Sequence, residues 1–402
     1  MGLSNFTRGD PIFQDESVLR DTYRPDELVG RDEELEEYQD AMRPVFNNAP
    51  PLNILIYGQA GVGKTAATRL VFDQIEQDQA RFDDLDVHSV MLNCKSCHSS
   101  YQVAVDLVNK FRSKDEEIPS TGYSTGRVYN MLWDHVEELD ATHCLIVLDE
   151  IDSIGRDDEI LYELPRANDN SQVEKPLIGV IGISNDFTFR DNLSGRVKDS
   201  LCEEELHFPP YDADQLRDIL EYRTDQAFHE DVLEDDVLPL AAAFAASESG
   251  SARQALKLVY KAGKLARKRE MEMVTEPLVR EAKTLIEQGR VKDELESLPV
   301  QSQLTLYTLL QLEAEGGTPA RRKKIYKRYQ MNAELVGADV VTDRTIHDRL
   351  SQLKLKGFVE DELRNEGRGG GKYYLYELSL QEEIVSDALR QSSRVEGLFG
   401  EE

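Results

Sequence analysis

The residues Gly58-Gln59-Ala60-Gly61-Val62-Gly63-Lys64-Thr65 follow the apolar run LNILIY and open the helical pattern KTAATRLVFDQIEQ. A GxxxxGKT string between a strand and a helix predicts a phosphate-binding loop. Its glycines let backbone N–H groups curl around phosphate oxygens, the helix N-terminus adds partial positive charge, and Lys64 reaches the β- and γ-phosphates. Thr65 supplies a hydroxyl for Mg2+, so Gly58, Gly61, Val62, Gly63, Lys64, Thr65 and Ala66 are candidate ATP/ADP-binding residues. Downstream, CLIVLDEID delivers Asp149 and Glu150 to the end of an apolar strand. Asp149 suits a metal ligand and Glu150 a base that polarises the attacking water. A further strand, LIGVIGISND, ends at Asn185, whose amide can bond a lytic water or a γ-phosphate, although asparagine is also the common turn residue there.

Chemistry of this kind needs a sheet that brings the three strand ends together. LNILIY (52–57), VHSVML (87–92), CLIVL (144–148) and LIGVIGI (177–183) are near-continuous apolar runs, and longer helical patterns separate them. Strands buried on both faces and joined by helices predict a parallel α/β sheet, with ligands at its carboxyl edge. From 212 to about 290 the pattern is helical throughout. Pro299 and the polar stretch before it mark a boundary. The expected domains are therefore an α/β nucleotide-binding domain (1–208), a helical lid (209–295) and a C-terminal domain (299–402).

The chain has 402 residues, 77 acidic and 47 basic, with a net charge of −30. That length accommodates two or three domains. No stretch is long and apolar enough to span a membrane, and the start MGLSNFTRGDPIFQDE lacks a secretory pattern, so a cytoplasmic protein with no membrane partner is expected. A polyanion repels phosphate, which taken alone argues against nucleic acid. The acids are spread along the chain, however, as in proteins whose surfaces are adapted to molar salt. Residues 301–380 also stand apart, with 13 basic and 11 acidic side chains. The four cysteines are too few for a disulfide framework. Cys94-Lys95-Ser96-Cys97-His98 has the spacing of a haem attachment site or of half a zinc site, but with no export signal and no second ligand pair it reads as small residues ending a strand.

Within that less acidic segment, SQLTLYTLLQLEAEG, KKIYKRYQMNAELVG and TDRTIHDRLSQLKLKG read as three helices, followed by the hairpin FVEDELRNEGRGGGKYYLYEL. Three helices and a two-stranded wing predict a winged-helix domain for double-stranded DNA. Thr342 is a good N-cap for the third helix, and Ile346, Leu350 and Leu353 share one face. The opposite face presents Arg344, His347 and Ser351 as candidate base readers. Arg321, Arg322, Lys323, Lys324, Lys327 and Arg328, together with Arg368 in the wing, are candidate phosphate contacts.

On these motifs the chain resembles AAA+ ATPases of the archaeal origin-recognition and cell-division-cycle initiator type over nearly its whole length. The segment IFQDESVLRDTYRPDELVGRDEEL is similar to the family's N-terminal segment, which implies that Val29, Gly30 and Arg31 lie near the adenine. RDDEILYELPRAND is similar to the initiators' helical insertion. The resemblance further implies a γ-phosphate sensor at Asn185, an arginine acting on a neighbouring subunit at Arg196, nucleotide contacts at Tyr211 and Arg223, and a lid arginine at Arg253. The expectation is then a P-loop ATPase with a parallel sheet, a helical lid and a winged helix. It would be a slow ATPase that binds origin DNA and helps load the replicative helicase, with other initiator subunits as partners. The alternative is a winged-helix ATPase of signalling or transcription control, disfavoured by LYELPRAND and GSAR. A clamp-loader subunit would lack the winged helix.

Overall fold

The computed structural model describes residues 10–155, 157–365, 372–380, 382–390, 395 and 398–399, in two compact units that divide between Val279 and Arg280. In the first, β1 (Ile54–Tyr57), β2 (Val87–Asn93), β3 (His143–Asp149), β4 (Leu177–Ser184) and β5 (Glu204–His207) form one sheet in the order β2-β3-β4-β1-β5. Every neighbouring pair is parallel. All seven positions of β3 are buried, as a strand covered on both faces requires. The register opposes Leu148 to Gly182 and Tyr57 to Ser184. The phosphate loop after β1, Asp149 at the end of β3 and Asn185 after β4 thereby emerge on one edge. The sheet's fifth strand, β5, ends in His207 and leads into the lid; it is too short and too polar to have been legible in sequence.

The lid is built from helices Ala213–Ala227, Val237–Glu248 and Ala252–Lys268. The first is fixed by a capping box between Asp212 and Gln215, which satisfies donors at both ends of the turn. Its partner at the other end of the sequence is the N-terminal segment. Ile12, Phe13, Val18 and Leu19 are buried, Gln14 N–H donates to Ala227 O at 2.9 Å, and the Phe13 and Phe228 rings lie 4.8 Å apart. Phe13 also fills the space above Gly263, where a Cβ would approach its ring to 2.5 Å. Burying each such side chain is worth about 1.5–3 kcal/mol, against about 0–1 for the partly exposed Arg267–Asp10 pair beside it. Apolar burial therefore holds the chain's start on the lid, and residues 20–31 cross from there to the α/β body.

The second unit packs helices Val300–Ala314, Arg322–Leu335 and Asp343–Leu355 around one core, as expected for a winged helix. Two elements were not foreseen. A short β6 (Ala320–Arg321) pairs with β8 (Lys372–Leu378), making the wing a three-stranded sheet in the order β6-β8-β7 with β7 (Val359–Asn365). Helix Glu382–Arg390 buries Val385, Ala388 and Leu389 in the same core. Leu295 and Leu298 belong to this core too, and the helix Glu276–Ser297 runs unbroken through the stretch where the lid was expected to end. Among the described residues no helix is long and apolar enough to cross a membrane.

Candidate functional site

The helix Lys64–Gln79 begins at Gly63, which sits at φ 101° with no side-chain cap. A left-handed φ suits glycine, and an uncapped N-terminus leaves its N–H groups directed at whatever occupies the loop. The Lys64 side chain is 3% exposed. Its ammonium donates to Gly58 O at 2.8 Å, Gln59 O at 2.7 Å and Asn185 Oδ1 at 2.9 Å. Burial pulls its pKa down to about 8, although the carboxylates of Asp149, Asp152 and Glu150 push the other way. Thr65 Oγ1 donates to Asp149 Oδ2 at 3.1 Å. A hydroxyl beside a buried carboxylate is a hard oxygen pair, which fits a magnesium ion bound with waters and phosphate oxygens.

Glu150 lies beyond β3 at φ 56°, an uncommon conformation for a residue with a Cβ. Its N–H donates to Asp149 Oδ1 at 3.0 Å, which holds the turn and leaves the Glu150 side chain on the cleft. Asp152 escaped the sequence reading. Its Oδ1 accepts from Asn185 N–H at 3.0 Å and from Ser184 Oγ at 3.1 Å. It thereby ties the segment after β4 to the turn after β3. The signal was present in the LDEID string, but only the adjacency of β3 and β4 reveals the role.

One cleft of about 990 Å³, open to solvent, collects most of the expected residues. Gly61, Gly63, Lys64, Thr65 and Ala66 line it from the phosphate loop, and Asp149, Glu150 and Asn185 from the strand ends. Val29 borders it from the crossing segment, joined by Arg20, Asp21 and Tyr23, which sequence reasoning had not singled out. Tyr211, Arg223 and Arg253 close it from the lid side. Arg223 is 7% exposed, donates through Nε to Val18 O at 2.9 Å, and stacks 4.3 Å from the Tyr23 ring centre. Arg253 is more exposed, with Nε 3.7 Å from Asp21 Oδ1.

Other expected contacts do not reach the cleft. Gly58 is packed against the Phe208 carbonyl, where a Cβ would come within 2.3 Å. Val62 is fully buried. Gly30 faces the Gln215 side chain. Arg31 is 1% exposed and fully engaged with protein groups. Arg196 is exposed, stacks 4.9 Å from the Tyr162 ring centre and does not line this chain's own cleft. Cys94 and Cys97 are buried free thiols. Burial and Asp106 push Cys97 up to about 12, and among the described residues no cluster of three or more His, Cys, Asp or Glu side chains could hold a metal ion.

In the second unit Thr342 caps the third helix by accepting from Thr345 N–H at 3.2 Å. Ile346, Leu350 and Leu353 are fully buried, and Arg344 is exposed in the first turn. His347 is half-buried, with Nδ1 3.4 Å from Tyr376 Oη. Ser351 Oγ bonds back to His347 O at 3.0 Å. Much of the basic run is occupied internally. Arg322 pairs with Asp343 at 2.8 Å, Arg328 grips Glu315 through two contacts of 2.8 Å, and Lys324 donates to Gly317 O at 2.8 Å. Arg321 stacks 3.7 Å from the Tyr373 ring centre. Lys323 and Lys327 are the exposed cations of the run with no hydrogen bond, ion pair or ring contact among the described residues. Arg368 lies outside those residues.

A parallel sheet with a phosphate loop, an acidic strand end, a helical lid carrying an arginine, and an appended winged helix defines an AAA+ ATPase with a DNA-binding type of module. The AAA ATPase domain family matches residues 27–178, the Cdc6 AAA+ ATPase-type lid domain residues 217–284, and the CDC6 C-terminal winged helix domain residues 293–388. The chain is 57% identical to ORC1-type DNA replication protein 1 of Haloarcula marismortui, over 99% of this chain and 97% of that one. It is 46% identical to ORC1-type DNA replication protein 11 of the same organism, over 98% and 94%. The structure of the Aeropyrum pernix ORC1 protein in complex with DNA superposes with a TM-score of 0.83 at 36% identity, over 97% of this chain and all of that one. The chain belongs to the archaeal ORC1/Cdc6 family of DNA replication proteins, and its acidic composition fits the halophilic source of its Haloarcula relatives.

Proposed function

We propose that this protein is an ATP-controlled replication initiator: it binds double-stranded origin DNA through the winged helix and the insertion, and helps load the replicative helicase in the cytoplasm. The observation that carries the reading is the single cleft in which phosphate loop, Asp149, Glu150, Asn185 and the lid's Arg253 converge, in a chain that also exposes Arg344 on a capped helix. Lys64 and the loop N–H groups hold the phosphates, and the adenine end lies against Val29 and Tyr211. Thr65 and Asp149 hold Mg2+, which supplies charge neutralisation at the phosphate oxygens when bound. Glu150 takes the proton of the attacking water, with Asn185 orienting the water or the γ-phosphate. Arg253 senses the γ-phosphate in the same chain, and Arg196 acts on the nucleotide of a neighbouring initiator subunit. Hydrolysis is slow and serves as a conformational switch. Residues 1–208, 209–295 and 299–402 act as ATPase, lid and DNA-binding domains, with segment 12–19 working as part of the lid. The DNA role of the relative solved with DNA supports this reading. The test is genome-wide mapping of sites bound by the ATP-bound protein. Occupancy of origin-proximal repeats is expected, and occupancy confined to promoters would move the protein to transcription control.

A further inference from the structure

Arg31 is the largest fully buried side chain among the described residues, in a position the family resemblance had placed at the nucleotide. Its donors face three different elements. Nε donates to Val62 O of the phosphate loop at 3.1 Å, Nη1 to the Glu34 carboxylate on helix Asp32–Phe46, and Nη2 to Pro209 O in the connection between β5 and the lid. The flat face of the guanidinium lies 3.7 Å from the Tyr211 ring centre. Tyr211 in turn touches both the phosphate loop and the lid. Its hydroxyl is 3.1 Å from the Cβ position of Gly63, and its N–H donates to Gly250 O at 3.0 Å. Two residues on, Ala252 N–H donates to Gly61 O at 3.0 Å, beside Arg253. These contacts form a closed circuit: phosphate loop, Arg31, lid connection, start of helix Ala252–Lys268, and phosphate loop again.

We propose that Arg31 is a positioning residue that couples the phosphate loop to the lid, so that a nucleotide seated on the loop fixes the helix start that carries Arg253. Its planar fork suits this task because it meets three acceptors and a ring at once, whereas an ammonium serves fewer and does not stack. The proposal rests on the reading of the cleft as a nucleotide site and of Arg253 as its lid sensor.

The experiment is hydrogen exchange of the amides of residues 250–256 in the full chain at molar KCl, with and without saturating magnesium and adenylyl-imidodiphosphate. Nucleotide affinity is measured alongside by calorimetry. In the parent protein nucleotide should raise protection on the order of tenfold or more. In Arg31→Lys the rise should fall below a third of the parental factor at saturation. A general loss of stability lowers protection with and without nucleotide alike, so the ratio reports coupling alone. Glu34→Gln removes the counter-charge without touching the cleft and should reduce the ratio in the same direction; it carries the test if Arg31→Lys does not fold. A ratio of a third or more of the parental value in Arg31→Lys overturns the proposal, and if affinity has then fallen a hundredfold, Arg31 contacts the nucleotide instead. When Glu34→Gln stands alone, an unchanged ratio overturns it. Nucleotide binding without any rise in the parent defeats the lid-sensor reading, and this inference with it. No binding in the parent defeats the site itself.

Discussion

Lys64→Ala should abolish measurable nucleotide binding, because no other side chain in the loop can place a positive charge among Gly58 O, Gln59 O and Asn185 Oδ1. Calorimetry with ATP and magnesium checks this, and unchanged affinity would remove the site assignment. Glu150→Gln keeps shape and hydrogen bonding but cannot accept a proton, so binding should persist while hydrolysis slows. General-base contributions run to about 10²–10⁴-fold, and a loss below about threefold would count against the role. Asp152→Ala should also slow single-turnover hydrolysis, by roughly tenfold or more, since one partly buried acceptor organises both Ser184 and Asn185 and a small misplacement of a catalytic group is costly. Unaltered turnover in that variant would show that Asn185 is held by its strand alone. The contrast among these residues explains what could be read beforehand. Lys64, Thr65, Asp149 and Glu150 announce themselves through local spacing, which the chain's own geometry converts into a site. Asp152 and Arg31 act across elements distant in sequence, so only the folded neighbourhood distinguishes an organising acid from a turn, or a buried clamp from a ligand contact.

At the level of elements, the apolar strands and the amphipathic third helix of the second unit were legible because burial imposes their periods. The N-terminal segment's place on the lid was not, since short apolar pairs such as Ile12-Phe13 and Val18-Leu19 carry no period. Nor was β6, whose two residues are defined only by pairing with β8. The basic run shows the same limit: composition counts cations, but the fold decides which remain available. Arg322 and Arg328 are already paired, whereas Lys323 and Lys327 are exposed and unengaged among the described residues, so these two are the first of the run to test as phosphate contacts. On the proposed reading Arg344, exposed in the helix's first turn, is the base reader, and a bidentate pair with guanine is worth about 1–3 kcal/mol of discrimination. Arg344→Ala should weaken binding to a cognate repeat about ten- to a hundredfold and leave random DNA little affected. Lys327→Ala should weaken both alike and flatten the salt slope. Competition binding at molar KCl separates the two outcomes, and equal losses on both DNAs in Arg344→Ala would mean that another face reads the bases.

Over the whole molecule, the net charge of −30 is concentrated outside the near-neutral segment 301–380, so the first unit bears most of the self-repulsion. One surface cleft gathers Asp83, Asp84, Asp86, Asp140 and Glu174 around the amino edge of the sheet, with Lys175 as the only cation among the residues that line it. The screening length is about 10 Å at 0.1 M salt and about 3 Å at 1 M. Repulsion across such a cleft is felt at the lower concentration and largely extinguished at the higher. The parent protein should therefore melt at a higher temperature as KCl rises from 0.1 to 3 M. A rise alone is ambiguous, because concentrated salt also strengthens apolar burial. The variant Asp83→Asn, Asp86→Asn, Asp140→Asn removes three exposed carboxylates and leaves the apolar core intact. If repulsion sets the salt dependence, this variant should melt above the parent at 0.1 M and together with it at 3 M, as thermal denaturation followed by circular dichroism would show. Melting curves that keep the same separation at both salt concentrations would assign the salt response to burial rather than to charge.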